Sequence, residues 1–229
     1  MDLNTRAKST EGTSAGLEAR LEILRQLALS RGASHAVVIS ASDVLVDPRV
    51  RLKCMIPKCD MSGACSHCPP HGSSFHETRN MVLRHDRAVF FRVIVPSSII
   101  AATGLASRIV DGVMDDSGNL NTLGAHYILT ATIVKIIQKR AREMGFFSMQ
   151  TYAAGDCRDL YCHLQLTCQA LQTQKGCRHP SLSSPSMESC GIDAFTMAAR
   201  AGWDAYPIGG TCQPDSVPHG NLMGLALIK

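Results

Sequence analysis

The sequence predicts an α/β fold, a single-domain sandwich with a mixed sheet of four to five strands and two cysteine-rich metal-binding loops at the strand ends. Short apolar runs that are typical of strands alternate along the chain with amphipathic stretches that are typical of helices. Two groups of four cysteines each follow a predicted strand, so both groups are expected near an end of the sheet.

The composition is that of an ordinary soluble globular protein. The chain has 229 residues, enough for a substantial core, with 45% hydrophobic and 18% charged residues. Its net charge of +4 is too small to indicate nucleic-acid or membrane binding. The amino terminus lacks the apolar segment of a secretory signal. We therefore expect a cytoplasmic protein with a flexible tail over residues 1–14 and a single metal-binding domain over residues 15–229.

Five stretches have the short apolar pattern of strands. The most apolar of them is RAVFFRVIV at residues 87–95, which we expect to be buried on both faces of the sheet. Residues 43–46 are expected to form a hairpin with the strand before them. The predicted strands are residues 35–40, 43–46, 87–95, 146–153 and 222–228.

Helices are predicted where apolar residues recur at helical spacing between capping signals. Ser74 and Glu77 form a capping box at the start of one helix. Gly32 and Gly145 are placed to end two others. The predicted helices are residues 17–28, 75–84, 97–114, 121–144 and 186–201.

The strongest pattern in the sequence is a repeated cysteine spacing. Both sets begin C-x4-C-x5-C, and the first three thiols of the second set each lie 103 residues after their counterparts. The fourth thiol follows after two residues in the first set and after eight in the second. The first set is Cys54, Cys59, Cys65 and Cys68, and the second set is Cys157, Cys162, Cys168 and Cys177.

Clustered thiols in a reducing compartment indicate metal binding or redox chemistry rather than a disulfide framework. Thiolates select zinc or iron–sulfur clusters. Structural zinc sites usually hold their ligands in C-x2-C pairs, whereas leading gaps of four and five residues can surround a cubane. We therefore expect two [4Fe-4S] clusters held by these eight cysteines. Structural zinc, or one cluster with one zinc site, is the alternative.

The spacing leaves the fourth ligand of each cluster open, because only three thiols per set share the same register. An iron could remain without a protein ligand, or a histidine could complete the site. Four histidines lie within the sets, and their simplest role is to hydrogen-bond neighbouring groups: His67, His71, His163 and His179. Cys190 and Cys212 lie outside the repeat and are expected to behave as small buried hydrophobes.

Basic residues crowd the first set, where Arg49, Arg51, Lys53 and Lys58 outnumber the single acid Asp60. Cations near a cluster stabilise its reduced, more negative form. They could instead dock an acidic redox partner, or form only a solvated basic turn.

Several motifs resemble a family of predicted metal-binding proteins of unassigned function. They are VRLKC followed by CPPH, then CRHP, PSMESCGID, AGW and GLALIK, and the likeness runs from about residue 33 onward. The resemblance implies metal binding, as iron–sulfur clusters, in anaerobic bacteria and archaea. It does not supply a reaction.

The leading functional hypothesis is an electron-transfer protein, because no nucleotide- or phosphate-binding glycine motif is present in the sequence. The second is an enzyme that activates a small substrate at an open iron, assisted by Cys190, Glu188 or Asp193. Glu188 and Asp193 have a simpler interpretation as residues of the helix predicted over 186–201, where Glu188 would be a first-turn acid. The third is a zinc-stapled interaction module. We predict a redox partner protein, but no nucleic acid or membrane.

Overall fold

The computed structural model describes residues 3–101, 122–173, 175–208 and 212–229, with side chains from residue 15 onward. The strands are β1 (His35–Ser40), β2 (Arg87–Pro96), β3 (Met149–Tyr152) and β4 (His219–Ile228). The helices are α1 (Leu3–Ser30), α2 (Pro48–Leu52), α3 (Phe75–Val82), α4 (Ser97–Ile100), α5 (Leu123–Glu143), α6 (Cys157–Tyr161), α7 (Gln169–Gln172) and α8 (Ala194–Arg200).

The four strands form one sheet in the spatial order β1-β2-β4-β3, and all three pairings are antiparallel. β4 lies in the middle, where Leu225 pairs with Phe90 of β2 on one side and Tyr152 of β3 on the other. β2 and β3 therefore run in the same direction, but β4 separates them and runs opposite to both. This confirms the α/β class with four strands. It corrects the expected mixed pairing to an antiparallel one among the described strands.

The sheet is covered on both faces, which explains why β2 is so apolar. Phe91 packs on one side with Leu24 of α1 and Ile137 of α5, all fully buried. Phe90 packs on the other side, where the Trp203 ring stacks on it at a centroid distance of 4.9 Å. Successive residues of a strand face opposite sides, so a strand buried on both faces has no polar alternation.

Several predicted elements are confirmed. β1 has the predicted bounds, and the strands predicted at 87–95 and 222–228 extend only slightly further. The capping box is formed, with Ser74 and Glu77 each binding the backbone of the other. α1 and α5 each end before a glycine with positive φ, +105° at Gly32 and +87° at Gly145.

Other predictions need correction. Residues 43–46 do not pair with β1; a 3-10 turn spans Ala41–Asp43 and Val46 forms an isolated bridge with Ile192. The helix predicted over 186–201 is a 3-10 turn, Glu188–Cys190, followed by α8, because Gly191 at φ +81° ends the turn. The strand predicted over 146–153 begins only at Met149.

Some predictions lie partly outside the described residues. Of the helix predicted over 97–114, only α4 falls within them. α1 begins at Leu3, but the side chains of residues 3–14 are not among those described. The division into a flexible tail and one domain stays a prediction.

Candidate metal centre

A short helix and its contacts fix the start of the first cysteine set. Asp47 caps α2 by accepting a hydrogen bond from the backbone N–H of Arg49 at 2.8 Å. Arg51, within α2, donates to the carbonyl oxygens of Ser189 and Gly72, each at 3.1 Å. The Arg51 guanidinium therefore joins α2 to the 3-10 turn that contains Glu188 and to the end of the CPPH loop.

The last two thiols of the first set form a compact turn. The backbone N–H of Cys68 donates to the Cys65 carbonyl oxygen at 3.2 Å. The side chains of Cys157 and Cys68 lower the pKa of the Cys65 thiol most, and the N–H groups of His67 and Cys68 contribute further to lowering it. The N–H of Gly72 then donates to the Cys68 carbonyl oxygen at 2.9 Å. A β-carbon at Gly72 would overlap the carbonyl oxygen of His67, so this turn requires glycine. The neighbouring donor groups therefore favour the thiolate form of Cys65.

The second set begins at a tight turn after β3. Gly155 has φ +72°, and a β-carbon there would lie 2.8 Å from Cδ1 of Tyr127. Asp156 caps α6 by accepting hydrogen bonds from the N–H groups of Arg158 and Asp159, at 3.0 and 2.9 Å. Cys157 is thereby held at the first position of α6.

Arg158 joins the two cysteine sets directly. Its guanidinium donates to the carbonyl oxygen of Ala64, beside Cys65, at 3.1 Å, and to that of Leu166 at 2.8 Å. No motif in the sequence marks this residue. Its position next to Cys157 is the only signal in the sequence that points to it.

The last thiol of the second set also has polar partners. The Cys177 sulfur accepts a hydrogen bond from the backbone N–H of His179 at 3.3 Å and lies 3.4 Å from Oγ of Ser183. The CRHP motif therefore bends back on its own cysteine through these two contacts.

The two sets converge. Cys65 is hydrogen-bonded to both Cys68 and Cys157, one from each set. Cys59 lies close enough to Cys54 for its charge to raise the pKa of the Cys54 thiol. Cys177 raises the pKa of the Cys157 thiol in the same way. Cys54 affects the pKa of Cys68 in the same way. We call this series the thiol arc; in spatial order it is Cys59, Cys54, Cys68, Cys65, Cys157 and Cys177.

Cys162 and Cys168 are half-buried in the same segment as Cys157. Neither of them is among the described groups that shift the pKa values of Cys54, Cys65, Cys68 and Cys157. Six of the eight predicted ligands are thus brought together.

The three thiols at the centre of the arc have pKa values shifted in opposite directions. Hydrogen bonds from Cys157 and Cys68 lower the pKa of the Cys65 thiol, and the same bonds raise the pKa of both donors. One thiolate is thus stabilised by two neighbouring thiols. A bound metal would displace the remaining protons, since metal ligation requires thiolates.

The four histidines have different environments. Nδ1 of His67, next to Cys65 in space, is buried and has no hydrogen-bond partner among the described residues, and burial lowers the pKa of this ring. His71 and His163 are exposed. His179 contributes its backbone N–H, not its ring, to Cys177, so the hydrogen-bonding role of its side chain stays a prediction.

A cavity of about 360 Å³ lies against one end of the thiol arc. Cys54, Cys59 and Cys68 line one part of its wall. Its remaining lining includes two carboxyl groups, two tyrosines and several apolar side chains: Asp156, Glu188, Tyr127, Tyr206, Ile100, Phe195, Leu222 and Met223.

Glu188 is half-buried in the wall of this cavity. Burial raises the pKa of its carboxyl group, against opposing effects of its own backbone N–H, Lys53 and the Ser186 hydroxyl. Burial also raises the pKa of Tyr127 to about 12, with further contributions from Glu188 and Asp156. The interpretation of Glu188 as a helix first-turn acid is therefore wrong, because its backbone forms a 3-10 turn at the cavity wall.

The other two candidates for catalysis have structural roles. Cys190 is fully buried in the core, and burial raises the pKa of its thiol to about 11. Asp193 caps α8, accepting hydrogen bonds from the N–H and hydroxyl of Thr196 at 3.0 and 2.7 Å. Cys212 is half-buried, just beyond the undescribed residues 209–211.

The donor set fits a thiolate-bound metal group. Among the described side chains, no three His, Cys, Asp or Glu groups already surround a point suited to a single ion. The thiol arc nevertheless gathers soft sulfur donors, one of them accepting an N–H hydrogen bond, beside an unpartnered buried ring nitrogen. These are the ligands that zinc and iron–sulfur clusters use.

An α/β sandwich that gathers six thiols from two distant segments defines a thiol-rich metal-binding protein. The family model described as predicted metal-binding protein (DUF2284) matches residues 37–228, and the chain belongs to that family. Comparisons with curated proteins and with solved structures gave no match. Within the ranges that the structure describes, no helix has the length and apolar character needed to cross a membrane.

Proposed function

We propose that this protein is a cytoplasmic iron–sulfur protein that binds two [4Fe-4S] clusters and passes electrons to a partner protein. The thiol arc is the observation that supports this proposal most directly. A structural zinc ion takes four ligands, whereas the arc contains six thiols in one series and the two sets contain eight. Eight thiols suffice for two cubanes, and the leading gaps of four and five residues favour cubanes over zinc, whose ligands usually come in C-x2-C pairs.

The surroundings of the thiols also favour iron–sulfur chemistry. The backbone N–H of His179 donates to the Cys177 sulfur. Hydrogen bonds to sulfur ligands adjust the reduction potential of a cluster. Because the two sets touch at Cys65 and Cys157, clusters held by them would lie close together, which suits electron exchange between them.

Metal and sulfide content tests the proposal. Protein purified without oxygen should contain about eight irons and eight acid-labile sulfides per chain, four of each per cluster. The Cys190→Ala variant is the control, since Cys190 lies in the core and outside the thiol arc. It should retain the full content. Stoichiometric zinc with little sulfide in the wild-type protein would instead support a zinc-stapled interaction module.

A further inference from the structure

Cys65 is the one thiol of the first set that is not among the described residues lining the cavity. It is 1% exposed and hydrogen-bonded to Cys157 of the second set. The cavity wall is formed by the other three thiols of the first set, Cys54, Cys59 and Cys68, and Cys65 is not among its described lining residues. The first set therefore presents three sulfurs, not four, to this space.

The remaining polar wall of the cavity includes two carboxyl groups. Asp156 lines it and uses one carboxylate oxygen, Oδ1, to cap α6, accepting from two backbone N–H groups at 3.0 and 2.9 Å. Glu188 lines it from the 3-10 turn, close enough to Cys54 for their charges to interact. Arg51 anchors this turn through the Ser189 carbonyl oxygen, so Glu188 is held on a fixed backbone.

We propose that Cys54, Cys59 and Cys68 hold one cluster by three thiolates, and that its fourth iron faces Glu188 and is open to a small ligand with an oxygen donor. The inference rests on the proposed iron–sulfur function and adds a binding site to it. An iron with an open position is a Lewis acid for oxygen donors. Leu222, Met223 and Phe195 give the same cavity an apolar wall, which suits a short hydrocarbon body.

Glu188 has the chemistry to complement such a ligand. Its carboxyl group lines the cavity together with the three thiols and can hydrogen-bond to a hydroxyl group of a bound ligand. The site therefore favours small neutral hydroxy compounds over carboxylates, whose charge would add to that of the surrounding thiolates.

Controlled oxidation tests the open position. Ferricyanide takes one electron from a [4Fe-4S]2+ cluster, and an iron without a thiolate leaves as Fe2+, so that [3Fe-4S]+ remains. In the wild-type protein, one of the two clusters should give the electron paramagnetic resonance signal of a three-iron centre, with loss of about one iron per chain. No such signal in protein that holds eight irons would overturn the inference. Protein without iron would overturn the proposed function instead.

A thiol introduced at the cavity gives the sharper comparison. Glu188→Cys supplies a fourth thiolate beside Cys54, so the three-iron signal should disappear while the iron content stays at its wild-type value. Glu143→Cys is the matched control, because it replaces a surface glutamate on α5 outside the cavity. It should behave as wild type. A three-iron signal in Glu188→Cys equal to that of the control would contradict the assignment of Glu188 to the open position.

Butan-2-ol serves as the probe for the class of ligand. It should shift the spectrum of the cluster on the cavity side in a saturable way, and Glu188→Leu should weaken that binding at least tenfold. Equal binding in wild type and Glu188→Leu, or no binding in wild type, would overturn the proposed class of ligand.

Discussion

Single residues hold the two cysteine segments together through backbone atoms. Arg51 and Arg158 each donate to two carbonyl oxygens from different segments, and Asp156 accepts from two N–H groups. Such contacts place a thiol without touching its sulfur. Replacing one of these residues would therefore alter the position of a ligand rather than its chemistry.

Gly155 gives a test of this dependence on the backbone. Gly155→Ala should destabilise the protein by about 1–2 kcal/mol from the left-handed φ and by about 1–3 kcal/mol more from the overlap with Tyr127. Gly63→Ala is the matched control, because Gly63 has φ +84° but nothing within 4 Å of its β-carbon position. Urea unfolding of anaerobic protein measures both variants. Equal losses would show that the contact with Tyr127 contributes nothing.

For individual residues, the sequence predicts which cysteines are candidate ligands better than it predicts how they are arranged in space. Cysteine spacing identifies the segments, because thiols are rare and their chemistry is specific. It does not show that Cys65 contacts Cys157, since the register of 103 residues instead pairs Cys65 with Cys168. The sequence marks Glu188 as a candidate but does not place it in a cavity wall, because a half-buried carboxyl and a helix first-turn acid have the same local sequence.

Short elements carry the site, and local signals determine them to different degrees. α3 begins at a complete capping box, in which the Glu77 N–H donates to Oγ of Ser74 at 3.2 Å and the Ser74 N–H donates to the Glu77 carboxylate at 2.7 Å. Such reciprocal bonds satisfy two backbone N–H groups at once. The sequence therefore predicted the start of this helix correctly.

Ser74→Ala should lower the free energy of unfolding by about 1 kcal/mol, because the Glu77 N–H loses its acceptor. Urea titration monitored by circular dichroism checks this. Ser73→Ala, at the exposed preceding residue, should leave the stability unchanged. An equal loss in both variants would mean that the capping box is not the source of the effect.

The segment 186–201 shows why an element prediction can be wrong. Its residues have helical propensity, yet Met187 and Ile192 must both enter the core beneath the sheet. Gly191 at φ +81° turns the backbone between them, and its N–H donates to the Glu188 carbonyl oxygen at 3.0 Å. Tertiary packing therefore overrides propensity here, and no local pattern reveals it.

For the whole molecule, the position of β4 could not be read from the sequence. The final strand enters the centre of the sheet, between strands that precede it by many residues. Alternating strands and helices predicted a mixed sheet. They gave no sign that β4 lies between β2 and β3 and makes the pairings of the described strands antiparallel, because that pairing is entirely long-range.

The basic surface near the first set is smaller than its sequence implies. Arg49 forms an ion pair with Asp47, and Arg51 is engaged with carbonyl oxygens. Lys53 and Lys58 are exposed and remain beside Cys54 and Cys59. These two lysines are thus the better candidates to guide an acidic redox partner, and we propose that they do so.

Charge reversal at these two positions tests electron transfer through this surface. Lys53→Glu/Lys58→Glu should slow reduction by an acidic ferredoxin-type donor about tenfold at low salt, because electrostatic steering raises association rates by at least that factor. The difference should largely vanish at high salt, since exposed charges beyond about 8 Å are already screened at physiological ionic strength.

The control variant reverses two positive charges on a different part of the surface. Lys139→Glu/Arg142→Glu alters two cations on α5, beside a separate cavity of about 690 Å³ near Tyr161 and Pro180. Stopped-flow reduction at two salt concentrations, with iron content measured on each sample, compares the two pairs. If the α5 variant is the slower one, the partner docks beside the second cysteine set and electrons enter through Cys157 and Cys177. If both pairs match wild type at low salt, steering by these cations has no part in the reaction.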